Sequence, residues 1–284
     1  MKHKNHEIIG FTRSLFMLLI AFFIQFVVEI TAMVTCAMAV SLHENRQLSY
    51  NEIYSLFTEL LEENTLIMLM SVLAAAVGAV VFGCWYYFGF VKKETEEETG
   101  KISFGSLPFL VLLGIGMQVF WSMLLTAIEG WQPGWFEEYN KLMENLDILG
   151  SLPALVYVVI VGPVAEELIF RGAILSNAKK YMPFLVANIL QAGFFGIYHM
   201  NMVQAVYAFC IGLVFGYVRV ACKSIFASIA LHISFNLTSV VIAWQVGEEL
   251  ELSTGTEMGI IAASAVFSIL MLLPFIVRRK KESH

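Results

Sequence analysis

Charge is scarce in this chain. Asp, Glu, Lys and Arg make up 14% of its 284 residues and 58% are hydrophobic, whereas soluble domains run at about 25% charged and about 45–50% apolar. Together with a mean hydropathy of +0.75, these proportions exclude an ordinary soluble domain and imply a polytopic membrane protein. Cysteine is scarce too: Cys36, Cys84, Cys210 and Cys222 include no pair at metal-ligand or redox spacing, so they read as small core hydrophobes. The chain has no GxSxG, which removes the sequence signal for a serine nucleophile, and no HExxH, which removes that of the common zinc proteases. Internal repeats and low-complexity stretches are missing as well. The first apolar run exceeds about twenty residues and carries no small-residue cleavage site, so it is expected to persist as a spanning helix.

What remains is apolar sequence punctuated by polar residues. Eight spans are predicted at about twenty residues each, over 14–40, 66–91, 104–128, 152–175, 183–200, 202–221, 224–246 and 257–277. Of the 17 bases, all but Arg46 and Lys141 fall on one side of this ladder. The positive-inside rule makes that side cytoplasmic, places both termini there and requires an even number of spans. The net charge of −6 therefore reports topology, and no nucleic-acid partner is expected. Ser49 to Glu52 has capping-box spacing before Ile53, Leu56, Phe57, Leu60 and Leu61, which predicts a short outer helix. Pro133-Gly134 breaks the chain ahead of a second amphipathic segment, from Trp135 to Leu146, with Trp131 as an interface anchor. The run from Lys92 to Lys101, with Glu94, Glu96, Glu97 and Glu98, reads as a solvated inner loop. Residues 1–150 thus hold three spans and two outer amphipathic segments, and residues 151–284 hold the polar motifs and the last span, within one expected structural domain.

Ionisable groups inside lipid mark functional sites by default, because a central charge costs about 3 kcal/mol or more on insertion scales. Glu166, Glu167 and Arg171 occupy span four. Glu167 and Arg171 are one helical turn apart and can pair, while Glu166 lies about 100° round the helix and is left to face another helix as a candidate base. The same string also suits an acidic packing knot held by Arg171. His232 and Asn236, again one turn apart, present two donors in one direction on span seven, as a developing oxyanion requires. His199 ends span five, one turn beyond Phe195. A carboxylate, two histidines and an amide on spans four, five and seven support attack of water on a carbonyl. Glu166, His199 and His232 also make a conceivable zinc set with an open fourth position, although Asn236 is a poor zinc ligand.

The order Glu166-Glu167-x-x-x-Arg171, Phe195-x-x-x-His199, His232-x-x-x-Asn236 resembles the CAAX protease and bacteriocin-processing family, also called the Abi family, of intramembrane endopeptidases. The resemblance covers residues 166–236 and implies an eight-helix, all-α membrane fold with a cavity inside the bilayer. It assigns Glu166 with His199 to activating water, His232 and Asn236 to the oxyanion hole, and Glu167 with Arg171 to supporting the first of these helices. It also implies a peptide or protein substrate at a bacterial cell membrane, either CAAX-type or a bacteriocin-like peptide. The different-class alternative is a non-catalytic immunity or peptide-binding protein. Family members have been described as metalloproteases, but the glutamate-water reading requires no cofactor. Oligomeric state is not legible in the sequence. One tension remains in a simple ladder at 1.5 Å per residue, which sets Glu166 and His232 about 12–13 Å above the inner helix ends but His199 about 24 Å up.

Overall fold

The computed structural model describes residues 2–44, 46–62, 64–93, 102–246 and 252–282. The acids Glu94, Glu96, Glu97 and Glu98 of the predicted inner loop, with Lys101, lie outside the described residues. So do the side chains of Lys2, Lys4, Phe57, Leu60, Leu61, Lys280 and Lys281. Helix α1 (Lys2–Glu44) leads to α2 (Tyr50–Glu62), α3 (Asn64–Tyr86, prolonged by a π-turn over Tyr87–Val91), α4 (Leu107–Trp131) and α5 (Glu137–Leu146). Then come the composite helix α6 (Leu152–Ala178), α7 (Phe184–Tyr198), α8 (Met202–Cys222), α9 (Ile225–Val246) and α10 (Thr254–Glu282). Among the described residues seven helical segments are long and apolar enough to cross a bilayer, and α7 is an eighth, shorter apolar helix. Each coincides with a predicted span. The protein is a polytopic, all-α membrane protein.

Small residues and buried polar groups set the helix contacts, as expected where lipid removes the hydrophobic drive between helices. Helix α4 lies between α9 and α10. A side chain at Gly114 would come within 2.7 Å of Ser234 Oγ, and one at Gly116 within 2.7 Å of Phe267 and Ser268. That close approach lets Ser234 Oγ donate to the Val111 carbonyl at 2.9 Å. Helices α7 and α8 are clamped likewise: Asn188 donates to the Leu213 carbonyl at 2.9 Å, and Gln191 to the Gly212 carbonyl at 2.9 Å. Asn177 of α6 donates to the Gly10 carbonyl and to Ser14 Oγ of α1, at 3.2 and 3.0 Å.

Both outer amphipathic segments are helices. Glu52 accepts from the Ser49 backbone and hydroxyl at 2.8 and 2.7 Å, closing the predicted capping box. The Ser49 hydroxyl and amide hold its carboxyl down at about 2, with help from Arg46. Helix α5 is anchored by Asn140, which donates to Glu129 at 2.7 Å, and by the fully packed Phe136. Burial pushes the Tyr139 phenol above its ordinary range, against the opposing effect of a hydrogen bond with Tyr207.

Candidate active site

The six residues singled out in the sequence sit on three packed helices, α6, α7 and α9. Helix α6 is not a regular α-helix. It runs in π register over Tyr157–Val161 and again over Leu168–Ile174, with an α-helical segment, Gly162–Glu167, between them. In the first π-turn the Gly162 amide donates to the Tyr157 carbonyl, five residues back. The Val158 carbonyl would take the next donor in that register, residue 163, which is a proline without an N–H. Asn236 fills the gap: its Nδ2 donates to the Val158 carbonyl at 2.7 Å. The amide expected to be a free oxyanion donor therefore spends one N–H on the helix that carries the glutamates and keeps the other.

Register changes of this kind cluster at functional sites, and the α-helical segment between them holds both acids, about 100° apart round the helix. Glu167 is fully buried. Its Oε1 accepts from Arg171 Nη1 at 2.8 Å and from His232 Nδ1 at 3.0 Å. Arg171 is also fully buried and reaches the Gly212 carbonyl at 3.4 Å, with its guanidinium 4.3 Å from the Phe195 ring and 5.2 Å from that of Phe215. The predicted ion pair is present, set among aromatic faces that suit a planar cation. Glu166 keeps 16% of its side chain accessible and faces His232 instead, Oε2 to Nε2 at 3.7 Å. It also lines a cavity of about 30 Å³ bounded by α1, α3, α6 and Tyr198 of α7. That is room for about two waters.

Hydrogen bonding fixes how the two histidines present their nitrogens. A carboxylate only accepts, so His232 Nδ1 carries the proton towards Glu167, and Nε2 is the nitrogen that can take up or return one towards Glu166. Donation to an oxyanion from Nε2 requires both ring nitrogens to be protonated. His199 Nδ1 likewise donates to the Phe195 carbonyl at 2.8 Å, which leaves its Nε2 as the basic nitrogen. Phe195 joins the two: its ring lies edge-on to His199 at 4.8 Å and to His232 at 5.9 Å.

These contacts correct the depth ladder. Helix α6 continues inward to Ala178, which puts Glu166 about 18 Å from that end at 1.5 Å per residue. Helix α7 has 15 residues, about 22 Å long, so the two ends do not mark one level. Ladder heights misplace His199, whereas ring contacts set Phe195, His199 and His232 in one layer. Three residues around Glu166 escaped the sequence reading: Gln25 of α1, Tyr157 and Tyr198 all line its cavity. A signal did exist for the first, since Gln25 stands one turn from Glu29 in an apolar helix and donates to it at 3.1 Å.

The donor set does not form a metal centre as it stands. Among the described residues no three His, Cys, Asp or Glu side chains gather closely enough to hold a metal ion. His232 Nδ1 and His199 Nδ1 are held by Glu167 and by the Phe195 carbonyl, which leaves both Nε2 atoms open.

Residues 148–238, which contain all six site positions, match the family model described as Type II CAAX prenyl endopeptidase Rce1-like. Over this segment the chain is similar to the CAAX protease and bacteriocin-processing family. Its motifs on α6, α7 and α9 are the family part, while α1 to α5 lie ahead of the matched segment. A curated relative, "Putative membrane peptidase YdiL" of Bacillus subtilis (strain 168), is 29% identical over 153 residues, which cover 54% of this chain and 62% of the relative. No solved structure matches.

Proposed function

We propose that this protein is an intramembrane endopeptidase in which Glu166 activates water for attack on a peptide carbonyl. The observation that carries the reading is the division of labour between the acids: Glu167 is held by Arg171 and His232, while Glu166 faces His232 Nε2 at the wall of a water-sized cavity. Water in that cavity gives a proton to Glu166 as its oxygen bonds to the scissile carbon; His199, off the cavity wall but set beside the Phe195 ring that also meets His232, is the second acceptor that the family resemblance assigns. The oxyanion is met by protonated His232 Nε2 and the uncommitted Asn236 N–H. Collapse breaks the C–N bond, and the proton on Glu166 passes to the leaving amine. No metal enters these steps, and the Asn236 amide, a poor zinc ligand, favours that form over a zinc ion held by Glu166, His199 and His232.

The segregation of bases supports insertion in a bacterial cell membrane with both termini cytoplasmic. The substrate is a peptide or protein at that membrane, of CAAX type or a bacteriocin-like precursor. The test is hydrolysis by purified protein in proteoliposomes, using a pool of lysine-flanked hydrophobic peptides read by mass spectrometry. Glu166→Gln and Glu166→Ala should each lose about 10²–10⁴-fold in rate while inserting and accumulating normally. Full hydrolysis by both would remove Glu166 as the base, and absence of hydrolysis by the wild-type protein would favour a non-catalytic immunity protein. Activity that disappears on exhaustive chelation and returns with zinc would overturn the metal-free form.

A further inference from the structure

Small residues on transmembrane helices normally mark close packing, and Gly114, Gly116, Gly196 and Gly212 of this chain behave that way, each with a neighbour within 3.2 Å of a built side-chain carbon. Gly78 on α3 does not. It is buried, yet a side-chain carbon added there would meet no atom within 4 Å. Among the described residues it is the one buried glycine with this property. The space it faces is the Glu166 cavity, whose wall on α3 also contains Ala74, Ala75 and Ser71, and whose wall on α1 carries Ala21 and Gln25. Gly78 is thus small without bringing helices together; it keeps a space open beside the candidate base. Glu166 reaches the same space from α6.

We propose that this cavity is the specificity subsite of the enzyme, and that α3 restricts the substrate residue beside the scissile bond to a small side chain: glycine, alanine or serine. The inference rests on the proteolytic reading above and deepens it by naming the substrate class. Room for about two waters holds the attacking water and one methyl or hydroxymethyl group, whereas a leucine or phenylalanine side chain exceeds it. Ser71 and Gln25 add polar groups on the wall, which admit serine alongside glycine and alanine. The walls that α1 and α3 contribute lie ahead of residue 148, outside the matched segment, and face the Glu166 wall that lies within it.

The test uses full-length protein in proteoliposomes and peptides of one leucine-rich transmembrane sequence, with a single central position set to Gly, Ala, Ser, Val, Leu or Phe. Wild-type protein is expected to cleave beside Gly, Ala and Ser at least about tenfold faster than beside Leu or Phe, since a mismatched methylene in an apolar pocket is worth about 10–200-fold. Gly78→Val should lower cleavage beside Ala and Ser by about tenfold and leave Gly the best substrate. Gly78→Ala should do so less. The open space at position 78 lets both variants fold, which thermal unfolding in detergent checks. Equal rates across the six peptides, or an unchanged preference in Gly78→Val, would overturn the subsite while leaving the protease reading intact. Absence of cleavage of every peptide by wild-type protein would instead count against the protease reading, and this proposal would fall with it.

Discussion

Replacing Asn236 by leucine should destabilise α6 through a carbonyl three helices away in sequence, and the cause can be isolated because proline creates the need. Asn236 Nδ2 donates to Val158 at 2.7 Å, and the π register leaves that carbonyl without a backbone donor since residue 163 is Pro. A buried acceptor left unpaired costs about 1–3 kcal/mol; interhelical hydrogen bonds in membranes average about 0.6 and reach about 1.7 kcal/mol. We therefore expect a loss of about 1–2 kcal/mol for Asn236→Leu, read by reversible unfolding in mixed micelles. Pro163→Ala supplies an N–H in the place where the register lacks one. In the Asn236→Leu background it should restore about 1 kcal/mol beyond its effect alone, a coupling well above the about 0.3–0.5 kcal/mol scatter of independent sites. Additive energies in this cycle would show that Asn236 does not answer for Pro163, and the account of α6 given above would fail.

Breaking the buried pair by Arg171→Met should cost about 3–5 kcal/mol, because it strands the carboxylate of Glu167 in a fully buried site, and Arg171→Lys should recover only part of that, since a compact ammonium cannot replace a planar fork between two aromatic rings; equal stability of Arg171→Lys and wild type in the same assay would refute it. For Glu52 the folded carboxyl sits at about 2, below the about 4.3 of a free glutamate, so its capping contribution is complete above that higher value and disappears as pH falls through about 2. Amide exchange in the first turn of α2 should stay slow at pH 4 and accelerate towards pH 2, and Glu52→Gln should abolish the pH dependence.

Much of the fold was legible because hydropathy reports span positions directly: the eight predicted spans coincide with the eight apolar helices. The Glu167–Arg171 pair was legible for a local reason, since four residues of helix bring two side chains together whatever surrounds them. The same argument could separate Glu166 from Glu167 but could not say what Glu166 faces. Gly162-Pro163 hinted at a disturbance in α6, yet apolar residues on both sides carry no signal that distinguishes π from α register. His232 between two glutamates, Tyr157 and Tyr198 beside the cavity, and the open wall at Gly78 all depend on how α1 and α3 pack on α6, and no spacing along the chain encodes that. The misplaced height of His199 has a related origin, because a ladder assumes helices that start at one level.

The bonds from Asn177 to Gly10 and Ser14 constrain how this protein can be taken apart or recombined. They stitch the final turn of α6 to the first third of α1, across 167 and 163 residues of sequence. A chimaera spliced at residue 150, keeping the motif-bearing half and borrowing the first three spans from a relative, would meet a foreign helix at that seam and leave the Asn177 amide facing whatever it offers. Positions 10 and 14 would have to travel with position 177, so the unit of exchange between such proteins is a set of surfaces and not a contiguous piece of gene.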